Sequence, residues 1–214
     1  MREIVLDTET TGLDPASGHR IVEIGCLELV NHLPSGRTFQ RYLNPDRDVP
    51  EDAFAVHGLS AVFLADKPRF ADVAEELLAF IDGAPLVIHN AEFDIRFLNT
   101  ELTRLGLPAL ATDLAVDTLL LARRKFPGSP ASLDALCGRF NIDNAARSLH
   151  GALLDAELLA EVYLELIGGR QPGLGLAIDV AAVVAKTEII VRPPRPHAPS
   201  EDELARHADR KSVV

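Results

Sequence analysis

Val5-Leu6-Asp7-Thr8-Glu9-Thr10-Thr11-Gly12 reads as a short apolar strand that ends in two carboxylates held one residue apart. Residues two apart on a strand project from the same face, so Asp7 and Glu9 can aim their oxygens at one point. An Asp-x-Glu pair alone is more often a solvated strand end than a metal site. Its weight comes from two later stretches, around Asp94 and around His150 and Asp155, that supply further ligand-type groups.

Outward from that strand, residues 4–7, 21–30 and 38–43 read as three successive strands, an antiparallel meander. Gly12-Leu13-Asp14-Pro15 and Pro34-Ser35-Gly36 are its expected turns. Residues 50–54 and 60–64 read as short helical turns around Val56-His57-Gly58. Apolar spacing at Phe70, Val73, Ala74, Leu77, Leu78 and Ile81 predicts an amphipathic helix over 70–81. Residues 85–89 form a fourth strand that delivers Asp94 at a strand-to-helix junction, and 115–116 a fifth, followed by a helix over 117–126. Ser132 is the expected N-cap of a helix over 133–140. The stripe Leu153, Leu154, Leu158, Leu159, Val162 and Leu166 predicts a last helix over 148–167, ended by Gly168-Gly169. The body is a mixed α/β domain over 1–169, strands first and helices afterwards.

After Gly169 the composition shifts to recurring Gly and Pro, which reads as a flexible linker over 170–199. Within it, residues 176–191 are apolar enough to dock on a partner, and 200–210 opens as a short polar helix. The balance of 32 acidic against 21 basic residues, a formal charge of −11, argues against a protein that grips nucleic acid by electrostatics alone. Cys26 and Cys137 are too few and too isolated for a disulfide framework or a thiolate metal site, and suit a reducing cytosol. No apolar run approaches the roughly 18 residues of a membrane span.

Hydrolysis of a phosphodiester needs an activated water and relief of charge on the phosphate, which two divalent cations roughly 3.5–4 Å apart can supply together. Mg²⁺ and Mn²⁺ prefer carboxylate oxygens, and Asp7, Glu9, Asp94 and Asp155 could converge to hold them. Such a cluster repels itself when empty, so metal should stabilise the fold. His150, five residues before Asp155, suits a general base, and Gly151 after it should leave the loop mobile and uncrowded.

Asp7-Thr8-Glu9-Thr10-Thr11-Gly12, Val87-Ile88-His89-Asn90-Ala91-Glu92-Phe93-Asp94 and Leu149-His150-Gly151-Ala152-Leu153-Leu154-Asp155-Ala156 together resemble the three ordered motifs of the DEDDh family of 3′-to-5′ exonucleases, closest to its polymerase-associated proofreading members. The His-x4-Asp spacing is that of the histidine branch, not the tyrosine branch. Val56-His57-Gly58, Phe126-Pro127-Gly128 and Ser132-Leu133-Asp134-Ala135-Leu136-Cys137 extend the likeness over residues 2–169. The resemblance implies a ribonuclease-H-like fold, a central five-stranded mixed sheet flanked by helices, with a flexible C-terminal tail. It also implies that Asp7 bridges two metals, that Glu9 and Asp155 complete the first, that Asp94 serves the second, and that His150 is the base. The 3′-terminal nucleotide would lie against Thr10, Asp52, His57 and Phe93, beside Asp7, Glu9 and Asp155. By the same resemblance a polymerase, through its alpha subunit, would hold segment 200–214 and deliver a frayed 3′ DNA end. Gln171-Pro172-Gly173-Leu174-Gly175-Leu176 is similar to a degenerate beta sliding-clamp peptide, and the linker lacks the glutamine-rich stretch of better-known members. The resulting expectation is a cytoplasmic enzyme, nucleoid-associated at replication forks, that removes mismatched 3′ nucleotides as 5′-monophosphates. The competing expectations are an RNA-trimming enzyme of the ribonuclease T type, disfavoured by the long tail, and a non-catalytic scaffold bridging polymerase and clamp, disfavoured by the full set of carboxylates and His150.

Overall fold

A computed structural model of the chain describes residues 1–145, 147, 149–169, 201, 202 and 204. Five strands, β1 (Arg2–Thr10), β2 (Ile21–Val30), β3 (Leu33–Tyr42), β4 (Leu86–Ile88) and β5 (Ala115–Asp117), form one sheet in the order β3-β2-β1-β4-β5. The β1–β2–β3 meander is antiparallel, whereas β4 runs parallel to β1 and β5 parallel to β4. The expected mixed sheet is therefore present, with β1 at its centre.

Two expectations about the meander are corrected. The β2–β3 turn is Asn31-His32, both left-handed (φ 52° and 65°), and not Pro34-Ser35-Gly36, which lies inside β3. A two-residue left-handed turn matches the twist of its flanking strands. Proline is tolerated in β3 because this strand is at the sheet edge. Strand β1 also continues three residues past Asp7 to Thr10, so Asp7 and Glu9 stand within the strand and not beyond its end.

Alternation along β1 assigns the two layers. Ile4 and Leu6 pack with Phe70, Leu77 and Leu98, from α3 (Phe70–Ile81) and α4 (Ala91–Arg104). Val5 packs on the opposite face with Leu136, Leu159 and Val162, from α6 (Leu133–Phe140) and α7 (Ala152–Ile167). A central strand buried on both faces reads as a continuous apolar run, as Ile4-Val5-Leu6 does. The remaining helices are α1 (Glu51–His57), α2 (Ala61–Leu64) and α5 (Thr118–Lys125). Helix α1 runs three residues further than expected, through Val56-His57, and stops where Gly58 turns left-handed (φ 71°). Helix α7 starts at Ala152 and not at 148, because Gly151 before it is extended. Ser132 caps α6 as expected, its hydroxyl accepting from the Ala135 N–H.

Cys26 and Cys137 are free, buried, and belong to opposite core layers. No helix among the described residues is long and apolar enough to cross a membrane. The linker over 170–199, its peptide Gln171 to Leu176 and the apolar stretch 176–191 lie outside the described residues. Of the helix expected over 200–210, Glu201, Asp202 and Leu204 are described and are helical.

Candidate active site

Asp7 and Glu9 project from β1 on the face covered by α7, the alternation that also points Val5 into that layer. Asp155, in the first turn of α7, meets them there. Asp94 comes from the other layer, in the first turn of α4 and not at the strand junction itself. It docks on β1 by accepting a 2.7 Å hydrogen bond from the Thr8 hydroxyl. Asp7, Glu9, Asp94, Asp155, Phe93 and His150 all line one cavity of about 330 Å³. It opens where β1 and β4 end, outside the carboxyl ends of parallel strands, where open α/β sheets place their ligand sites.

Little solvent reaches these carboxylates: Glu9 is 8% exposed and Asp94 and Asp155 are each 3% exposed. Burial, then the neighbouring charges of Asp94, Glu9 and Asp155, hold the Asp7 carboxyl well above the usual range. Burial, followed by Asp155, pushes Glu9 up to about 8. Asp94 is raised to about 7, again by burial, against the opposing hydrogen bonds from Thr8. Burial and mutual repulsion therefore disfavour these carboxylates as anions, against the smaller opposing charge of Arg147. Ligand atoms of Glu9, His150 and Asp155 lie within 4.8 Å of one another; Asp7 and Asp94 fall outside that tight group. An oxygen-rich, buried and mutually repelling donor set fits a hard divalent cation.

Several residues that sequence reasoning did not single out build this arrangement. Gly25 on β2 lets α7 approach so closely that a Cβ there would lie 2.2 Å from the Ala152 carbonyl carbon. Glu23, two residues earlier on the same strand, accepts from the Ala152 N–H at 3.1 Å and seats the start of α7. Asp117 accepts from the N–H groups of Asn90, Ala91, Leu119 and Leu120, joining the starts of α4 and α5. Its N-cap role was readable from its place before an apolar run, but its reach to Asn90 was not. Arg147 holds Asp155 and His150, and nothing in its local sequence marks it.

His150 is 46% exposed in its side chain, on the loop before α7. Its N–H donates to the Val56 carbonyl, and Leu149 packs so near Gly58 that a Cβ there would lie 2.6 Å from it. The Val56-His57-Gly58 stretch is thus the seat of the His150 loop. Gly151 has room for a side chain and an ordinary extended backbone, so no crowding demands glycine there.

The expected nucleotide contacts are less tightly grouped. Phe93 lines the carboxylate cavity while packing on Phe97, ring centroids 4.9 Å apart. Asp52 lines a separate cavity of about 340 Å³ with Gly12, Leu13 and His19. The Thr10 hydroxyl donates to the Gly12 carbonyl at 2.7 Å. His57 is buried, accepts at Nδ1 from the Leu59 N–H, and leaves Nε2 without a hydrogen-bond partner among the described residues.

A family model described as Exonuclease (RNase_T) matches residues 4–163. The DNA polymerase III subunit epsilon of Rickettsia felis is 50% identical over all of this chain and 97% of its own length. That of Salmonella typhimurium is 48% identical over all of this chain and 93% of its own length. Among solved structures, exonuclease X in complex with 5′ overhanging duplex DNA is 28% identical, with a TM-score of 0.62 over 77% of this chain and 90% of that one. The nuclease domain of 3′hExo, a DEDDh family member bound to rAMP, shares the fold at 18% identity, with a TM-score of 0.67 over 78% of this chain and 91% of that one. With its motifs carried on this five-stranded mixed sheet, the chain belongs to the Exonuclease (RNase_T) family, alongside the epsilon subunits of bacterial DNA polymerase III.

Proposed function

We propose that this chain is the proofreading subunit of a bacterial DNA polymerase III, a 3′-to-5′ exonuclease that releases mismatched 3′-terminal nucleotides of DNA as 5′-monophosphates. The observation that carries the reading is the convergence of Asp7, Glu9, Asp94, Asp155 and His150 on one cavity, in a chain half identical to epsilon subunits over its full length. The family depends on divalent metal. Asp7, Glu9 and Asp155 would hold one cation and Asp7 with Asp94 a second, as Mg²⁺ or Mn²⁺. Bound there, the cations would acidify the attacking water and stabilise the leaving oxygen.

The protein's own groups do the rest. His150, at the rim of the cavity, receives the proton of the attacking water. Phe93 offers a ring face to the terminal base, its other side braced by Phe97. His57, Thr10 and Asp52 would complete the nucleotide contacts. The charge of −11 makes free DNA a poor ligand, so delivery falls to the polymerase alpha subunit, gripped by residues 200–214. The peptide Gln171 to Leu176 would engage the beta sliding clamp, with 170–199 as linker. With these partners the protein would act in the cytoplasm, at replication forks.

The test is single-nucleotide release from matched DNA, 3′-mismatched DNA and RNA of the same sequence, with Mg²⁺, Mn²⁺ or EDTA, for wild type and Asp7→Ala. Metal-dependent release favouring the mismatched end, and lost in the variant, is the expected result. Preference for RNA would assign the chain to end-trimming, and undiminished activity in Asp7→Ala would remove the metal assignment.

A further inference from the structure

The carboxylate cluster already contains a cation, and it belongs to the chain. Arg147, 7% exposed in its side chain, donates from Nε to Asp155 Oδ1 at 2.6 Å and from Nη2 to Asp155 Oδ2 at 2.7 Å. Both oxygens of that carboxylate are therefore engaged by one planar fork. Nη2 also lies 3.0 Å from Nδ1 of His150. A guanidinium has no acceptor, so a bond to it uses His150 Nδ1 as acceptor, and the same Nδ1 lies 3.3 Å from Asp155 Oδ2, which ties His150 to the Arg147–Asp155 pair. The third arm, Nη1, donates at 2.6 Å to Asp134 Oδ1, in the first turn of α6. Asp134 is 61% exposed in its side chain and lies at the solvent side of the group.

A fork that spans both Asp155 oxygens competes with a divalent ion for the same carboxylate. Two like charges on one carboxylate in a buried site also repel. Arg147 has somewhere else to go, because its bond to Asp134 can persist as a pivot while the Asp155 and His150 bonds open. We propose that Arg147 is a resident counter-cation of the active site. It neutralises Asp155 and restrains His150 while no metal is bound, and it withdraws onto Asp134 when a divalent cation enters, freeing His150 for the reaction. The inference rests on the metal reading of Asp155 given above.

The test is Mn²⁺ binding by calorimetry to the full chain, as wild type, Arg147→Met and Arg147→Lys, together with melting temperatures in EDTA and in saturating Mn²⁺. Removing a competitor should tighten Mn²⁺ binding to Arg147→Met by about tenfold, within the usual range of coupling between sites. By linkage, its stability deficit against wild type should be large in EDTA and small in Mn²⁺. Arg147→Lys, which keeps the charge without the fork, should fall between. Equal or weaker Mn²⁺ binding, or the same deficit under both conditions, would show a merely structural arginine and overturn the proposal. Should Arg147→Met fail to fold, the wild-type Nε–H resonance of Arg147 decides: protected in EDTA and exchanging freely in Mg²⁺ as expected, or unchanged and the proposal fails. A wild type that binds no Mn²⁺ would overturn the metal reading and this inference together, whereas Mn²⁺ binding indifferent to Arg147 overturns this inference alone.

Discussion

Asp7 shows how a residue can work against the fold it serves. Its half-buried carboxyl stands beside Asp94, Glu9 and Asp155, and both desolvation and those charges oppose its ionisation. Asp7→Asn keeps the shape and removes the charge. In EDTA at pH 8 this variant should melt higher than wild type, while nucleotide release in Mg²⁺ falls by about a thousandfold or more, the scale of losing a preorganised electrostatic group. A melt in EDTA and a nuclease assay on one preparation check both signs. Glu9, raised to about 8, and Asp94, raised to about 7, add a pH dependence. Between their ordinary values near 4 and these raised values, the folded state binds more protons than the unfolded chain. Their contribution to stability is therefore greatest at low pH and is lost as pH rises from about 4 to about 8. Melting of the EDTA-treated protein should show this decline across pH 5 to 8, and saturating Mg²⁺ should flatten it by favouring the ionised forms.

At the level of elements, the position of Asp155 depends on how deeply α7 seats on β2. Gly25→Ala would place a methyl carbon against the Ala152–Leu153 backbone, with no flexible side chain to yield. The expected cost is about 3 kcal/mol or more, read by urea unfolding, with nucleotide release reduced because α7 carries Asp155 away from β1. Asp117→Ala tests the other layer. It strips four backbone N–H groups of their acceptor and unties the start of α4 from the start of α5. A loss of about 2–3 kcal/mol follows from leaving donors unsatisfied, accompanied by loosening of Asp94. Helices α3 and α6 were legible from apolar spacing and from the Ser132 cap because those signals are local. The start of α7 was not, since its apolar stripe continues through Leu149, and only the extended backbone at Gly151 ends the helix before it.

For the whole molecule, catalysis and assembly should be separable. Among the described residues, the groups lining the carboxylate cavity all lie within 2–169, while the proposed polymerase contact lies in 200–214. A chain ending at residue 169 should retain metal-dependent nucleotide release and lose capture by the polymerase alpha subunit, measured by co-migration of the purified pair. Loss of nuclease activity in the short chain, with its melting unchanged, would count against this division. The net charge of −11 leads to a further expectation: activity of the isolated chain on free DNA should be weak, and strengthened when the polymerase presents the end.

The amino-acid sequence determined the mixed α/β class, the meander and the strand-to-helix approach to Asp94, and it singled out the carboxylates and histidine that line one cavity, because alternation, caps and motif spacing are properties of neighbouring residues. It misplaced the β2–β3 turn, since Pro34-Ser35-Gly36 carries a turn composition that an edge strand can absorb. The tertiary structure alone decided that Asp94 reaches β1 from the layer opposite Asp155, that Gly25 and Glu23 seat α7, and that Asp117 ties two junctions together. It alone brought Arg147 onto Asp155 and His150. Those facts depend on distances between segments far apart in the chain, where burial sets the energy of each charge, and no local pattern of residues encodes them.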